Sequence, residues 1–226
     1  MSLSAAAPVY EEAQMAQAEV SQELGSVTFE VPSAMTVLSD NRLYKSSVKT
    51  ESFVCELDYE ATPKLSPYAF IHSRITNDKE YLLANGELNL FMNEDYVGKS
   101  FIKPVGPGET FDVYLGIDEE IKVKRTELID KRKKKLLGIR TRKDYGYKIE
   151  IESYKKKRVK IAIYDQLPVS KNADIKSELS SSSPKPSEVK DLGILKWDFE
   201  LSPKEKKTLE FEFFVEYPSD KSVSGI

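Results

Sequence analysis

The chain has 226 residues, 40% of them hydrophobic and 31% charged, enough apolar material for one large β domain or two sandwiches of about 100 residues each, and too much for a disordered chain. No stretch approaches the roughly 18 to 20 consecutive apolar residues of a membrane-spanning helix, and Met1 to Ala7 lack the charged start and apolar run of a secretory leader. The formal charge of -3 is unevenly spread: Lys122 to Lys160 hold 17 Lys or Arg against 5 Asp or Glu, a local +12 that leaves -15 for the rest.

Glu11 to Leu24 is rich in Ala, Glu and Gln, follows Pro8 and stops at Gly25, which predicts a short helix. Its stripe of Met15, Ala18 and Leu24 is thin, so the helix is expected either to dock or to be the end of a longer helical segment upstream. From Val27 onward the apolar period drops to two residues. Strands are expected over Val27 to Val31, Arg42 to Thr50, Ser52 to Glu60, Tyr68 to Thr76, Glu87 to Met92, Thr110 to Leu115 and Ile121 to Arg125. Turn signals stand at Asn85-Gly86, Val97-Gly98 and Gly106-Pro107-Gly108.

The second half alternates more strictly. Tyr145, Tyr147, Ile149 and Ile151 share a face against Lys148, Glu150 and Glu152, and Val159, Ile161 and Ile163 repeat the pattern after a turn at Tyr154 to Arg158. Leu195, Trp197, Phe199 and Leu201 do the same, as do Leu209, Phe211, Phe213 and Val215. Strands with one apolar and one charged face belong to half-solvated antiparallel sheets, and two such sheets make a sandwich. Ser177 to Pro186, with its serine run and two prolines, reads as a polar loop. The expected fold is therefore all-β and predominantly antiparallel: a helix or linker over 1–26, a first β subdomain over 27–125, and a second, immunoglobulin-like sandwich over 126–226.

Several phrases occur in one order: Pro63-Lys64-Leu65-Ser66-Pro67-Tyr68-Ala69-Phe70, Val97-Gly98-Lys99-Ser100, Leu115-Gly116-Ile117-Asp118, Asp165-Gln166-Leu167-Pro168-Val169-Ser170, Leu195-Lys196-Trp197-Asp198-Phe199 and Phe214-Val215-Glu216-Tyr217-Pro218. Together they resemble the carboxy-terminal half of the mucoidy inhibitor A family, a domain of unknown function, from about Val27 to Pro218. The resemblance implies an upstream domain, a helical middle segment of which Glu11 to Leu24 is the end, and a place in the cell envelope or periplasm. At Leu83-Ala84-Asn85-Gly86 the chain departs from the family's Leu-Pro-Gly phrase. The resemblance supplies no catalytic residue.

Nor do the residues themselves supply one. The single cysteine, Cys55, and single histidine, His72, exclude an internal disulfide and a structural zinc cluster. Cys55 alternates with Phe53, Leu57 and Tyr59 and is expected as a buried small hydrophobe rather than a nucleophile. His72 has no nucleophile motif beside it and is expected to be structural or exposed. Asp118-Glu119-Glu120 and Glu94-Asp95 lack calcium-loop spacing and read as solvated turns, and Gly106-Pro107-Gly108 lacks the Lys of a phosphate loop. No cofactor or metal is expected. The remaining feature is basic. Lys131, Arg132, Lys133, Lys134 and Lys135, with Lys155, Lys156, Lys157 and Arg158, would attract an acidic polysaccharide or other anionic surface if folded onto one face. Equally, lysines at strand edges and hairpin tips keep sheets from aggregating. A nucleic-acid partner is not expected. The leading expectation is a non-enzymatic interaction module that recognises a protein or another part of its own full-length chain; polyanion binding comes second, and a glycan hydrolase third.

Overall fold

The computed structural model describes residues 19–23, 26–30, 36, 38–40, 44, 46–129, 133–221 and 223. Fourteen strands run through them: β1 (Glu19–Glu23), β2 (Ser26–Glu30), β3 (Leu57–Ala61), β4 (Tyr68–Thr76), β5 (Gly86–Met92), β6 (Asp95–Ile102), β7 (Thr110–Glu127), β8 (Lys133–Leu137), β9 (Arg140–Ser153), β10 (Val159–Gln166), β11 (Lys176–Ser183), β12 (Glu188–Lys190), β13 (Ile194–Leu201) and β14 (Lys206–Pro218). β1 and β2 form a hairpin, as do β5 and β6. The other strands form one ten-stranded sheet in the order β11-β14-β9-β7-β4-β3-β10-β13-β12, with β8 added along the near end of β9. Every pair in it is antiparallel except β3 with β10.

Alternation sets which face of that sheet is dry. Ile149 and Ile151 of β9, Ile161 and Ile163 of β10, Leu195, Trp197 and Leu201 of β13, and Leu209, Phe211 and Val215 of β14 are all buried in one cluster. The sheet curls over this cluster. Trp197 and Phe211 lie far apart in strand order, yet their ring centroids are 5.5 Å apart, and the Trp197 indole N–H donates to the carbonyl of Pro184 just beyond β11 at 3.1 Å. Part of the bend is made in β7. Its first part pairs with β4 and its last with β9, and the register against β4 slips between Phe70 and His72. Gly116 sits in that slip with φ of +93°, a backbone geometry that favours glycine.

Several expectations are corrected. Residues 11–18 and 24 of the expected helix lie outside the described residues; Glu19–Glu23 is strand, and no α-helix occurs among the described residues. A thin apolar stripe contributes little to a helix, and pairing with β2 satisfies the same backbone groups. Of the strand expected over Arg42 to Thr50, residues 44 and 46–50 join no ladder and the rest lie outside the described residues. The strand expected from Ser52 begins only at Leu57, which leaves Cys55 exposed instead of buried. Ser177 to Ser183, expected as loop, belongs to β11, since an edge strand needs only backbone partners and β14 provides them. Val97-Gly98 lies within β6, and the two strands expected over Thr110 to Arg125 are one. The division expected between 125 and 126 falls inside β7, and β3 is hydrogen-bonded between β4 and β10.

Candidate functional site

The outer face of the sheet carries a groove of about 590 Å³ crossing β3, β4, β10, β13 and β12. Its floor follows from one small residue: Ala162 of β10 lies in register between Glu60 of β3 and Asp198 of β13, so the longer side chains around it become walls. His72 sits at one side, 3% exposed, where β4 places it opposite both Asp58 and Tyr114. Its Nδ1 lies 2.6 Å from an Asp58 carboxylate oxygen and its Nε2 lies 3.0 Å from one of Asp112. Ionised carboxylates only accept hydrogen bonds, so this placement favours the doubly protonated ring, with both nitrogens donating. Burial alone would lower the imidazole pKa, but the two aspartates outweigh it and hold it above its ordinary value.

The surrounding groups are tied in the same way. Arg74 Nε donates to Asp112 at 2.9 Å, and Tyr114 and Tyr164 donate to the two oxygens of Glu60 at 2.9 and 3.3 Å. Burial, with the Glu60 carboxylate second, pushes both phenols up. Burial would raise the Asp112 carboxyl, but Arg74 and His72 outweigh it and hold it down, the opposite of what a general acid in a glycan cleft requires. On the far wall Lys196 pairs with Asp198 at 2.9 Å and Arg158 with Glu200 at 3.5 Å. The carboxylates of this groove do converge, but each one named here is already engaged by a hydroxyl or a cation. Alternation along β3 and β4 sets Asp58 with Glu60 and His72 with Arg74, but only the order of neighbouring strands brings Asp112 and Asp198 to the same face.

The expected basic patch is divided by the strand that joins its parts. Lys131 and Arg132 lie outside the described residues, Lys133, Lys134 and Lys135 belong to β8, and Lys155, Lys156, Lys157 and Arg158 form the turn after β9. Lys135 pairs with Arg142, thirteen residues before Lys155, a path of roughly 40 Å along an extended strand. Lys155 is also committed inward. It meets Asp118 at 2.6 Å and Glu120 at 2.7 Å, and Asp118 accepts from the Tyr59 hydroxyl at 2.9 Å. Burial would lower the Lys155 ammonium, but the two carboxylates outweigh it and hold it up. Asp118, expected in a solvated turn, is therefore a buried anchor of β7. Lys156 and Lys157 are exposed. Among the described residues no group of three or more His, Cys, Asp or Glu is arranged to hold a metal ion, and no helix is long and apolar enough to cross a membrane.

Comparison with known proteins gives one match. The model of a family described as Domain of unknown function (DUF4139) matches residues 2–219. No curated protein and no solved structure matches at a significant level.

Proposed function

The chain belongs to the DUF4139 family, a domain family of unknown function, and on that premise we propose that it is a non-enzymatic interaction module whose outer-face groove receives a protein segment. The supporting observation is the groove over Ala162: an open depression walled by paired charges and Tyr164, with its one histidine engaged at both ring nitrogens by carboxylates, which leaves neither nitrogen open to take a proton from a substrate. Paired charges on a rigid sheet give orientation and selectivity more than affinity, which suits recognition. Within the family we read the chain as the carboxy-terminal half of a mucoidy inhibitor A-type protein of the cell envelope. The partner is a second protein or another part of the full-length chain.

A photo-crosslinking amino acid at Tyr164, in the groove, compared with one at Tyr154, on the β9–β10 turn, tests this in cells making the full-length protein. A discrete adduct at 164 that Lys196→Glu abolishes is the expected result. Equal adducts at both positions, or none at 164, would overturn the reading.

A second reading is polyanion binding, supported by the exposed Lys156 and Lys157 and by the lysines of β8. The separation of these clusters along β9 makes it two small sites rather than one patch.

A further inference from the structure

The β8–β9 hairpin ends in a tight turn between Leu137 and Arg140, which face each other in the ladder. Gly138, with φ of +61°, occupies the first central position, where such a two-residue turn needs a positive φ. The turn therefore presents Ile139 at its apex, 87% exposed, beside Leu136 at 72% and Leu137 at 50%. Scattered exposed aliphatics are ordinary, but three at one apex are a local apolar surface. They are embedded in basic chain. Between 133 and 143 there are six Lys or Arg and no Asp or Glu. Arg140 is held by Glu216 and by the carbonyl of Asp174, and Arg142 by Asp144; Lys221 pairs with Asp174 nearby. These contacts occupy Glu216, Asp174 and Asp144, while Lys135 of β8 is exposed.

We propose that this hairpin tip docks on an anionic phospholipid bilayer, with Leu136, Leu137 and Ile139 entering the headgroup layer and the β8 lysines held against the lipid phosphates. The combination of aliphatic apex and flanking lysines is what an interfacial site requires, since apolar side chains supply burial and cations supply attraction to the negative leaflet. The 133–143 stretch carries a local charge of +6 in a chain of net charge -3, so an anionic surface attracts the molecule at this end. A second copy of the chain fits less well, because pairing tip to tip would bring the same lysines together. The other basic turn, Lys155 to Arg158, has no such apex: Tyr154 is its exposed aromatic and Lys155 is turned to Asp118. The proposal shares the β8 lysines with the polyanion reading and adds the aliphatic tip, which a soluble polyanion would not use.

Cosedimentation with vesicles of equimolar phosphatidylcholine and phosphatidylglycerol, against pure phosphatidylcholine and against heparin in solution, tests it across salt. Partition onto the anionic vesicles is expected, weakened about tenfold or more by Leu136→Ser with Leu137→Ser and Ile139→Ser. With each lysine worth about fivefold near an anionic surface, Lys133→Gln, Lys134→Gln and Lys135→Gln together should weaken it on the order of a hundredfold. The altered aliphatics are exposed, so an unchanged unfolding midpoint serves as the folding control. No partition at low salt, or partition indifferent to the aliphatic changes, overturns the proposal; so does a tip-dependent dimer without vesicle binding. Heparin binding that needs the lysines but not the tip, without vesicle binding, would leave the polyanion reading standing and this one fallen.

Discussion

At His72 the local chemistry opposes the usual role of a buried histidine in a cleft. The ring is 3% exposed, its two flanking aspartates are partly open to water, and the charge is shared across Asp58, Asp112 and Arg74. Because its folded-state pKa lies above the unfolded value near 6.5, His72 contributes stability that is complete below about pH 6.5 and is lost as pH rises through the raised folded value. Asp112 works in the other direction: its lowered pKa gives stability that is present above about pH 4 and lost as pH falls through the folded value. His72→Gln is therefore expected to cost about 1–3 kcal/mol in urea unfolding near pH 6 and distinctly less near pH 9. A deficit independent of pH would show that the fold does not raise the His72 pKa.

Between elements, the most exacting contact is the pair Arg125 and Asp165. It ties β7 to β10 past the two strands that separate them in the sheet, with Nε donating to the carboxylate at 2.7 Å and the guanidinium 3.6 Å from the Tyr147 ring centroid. The Asp165 side chain has no exposed surface. Removing only Arg125 leaves that charge buried, so Arg125→Met should cost about 3–5 kcal/mol, while Arg125→Met with Asp165→Leu should recover much of it; chemical denaturation of the three variants measures this. Contacts of this kind mark the limit of what the chain discloses before it folds. The faces of β9, β10, β13 and β14 were legible, because Ile149, Ile161, Trp197 and Phe211 stand at the two-residue period of a half-buried strand. The partner order was not, since period says which side of a strand is dry and nothing about which strand lies beside it. The same gap explains the groove. His72 was visible as a histidine on a strand, but Asp112 reaches it only through the β4–β7 ladder. β11 escaped because a serine-rich edge strand has no apolar alternation to read.

Over the whole molecule, residues from both halves of the chain share one sheet and one core, with Tyr59, Ala69 and Val123 buried in the same cluster as Trp197 and Leu209. Trp197 fluorescence and far-ultraviolet circular dichroism should therefore report a single coincident denaturant transition. Separated transitions would mean that the stretches before and after residue 125 unfold as independent units.

The parallel pairing of β3 with β10 also bears on how the protein is made. Tyr59 leaves the ribosome about a hundred residues ahead of Ile161, its partner in the ladder, so at typical synthesis rates of 5–20 residues per second one edge of β3 waits roughly 5–20 s for its neighbour. During that interval the nascent chain presents an unfinished strand to its surroundings, and the demand for protection falls on the cell before the fold can meet it.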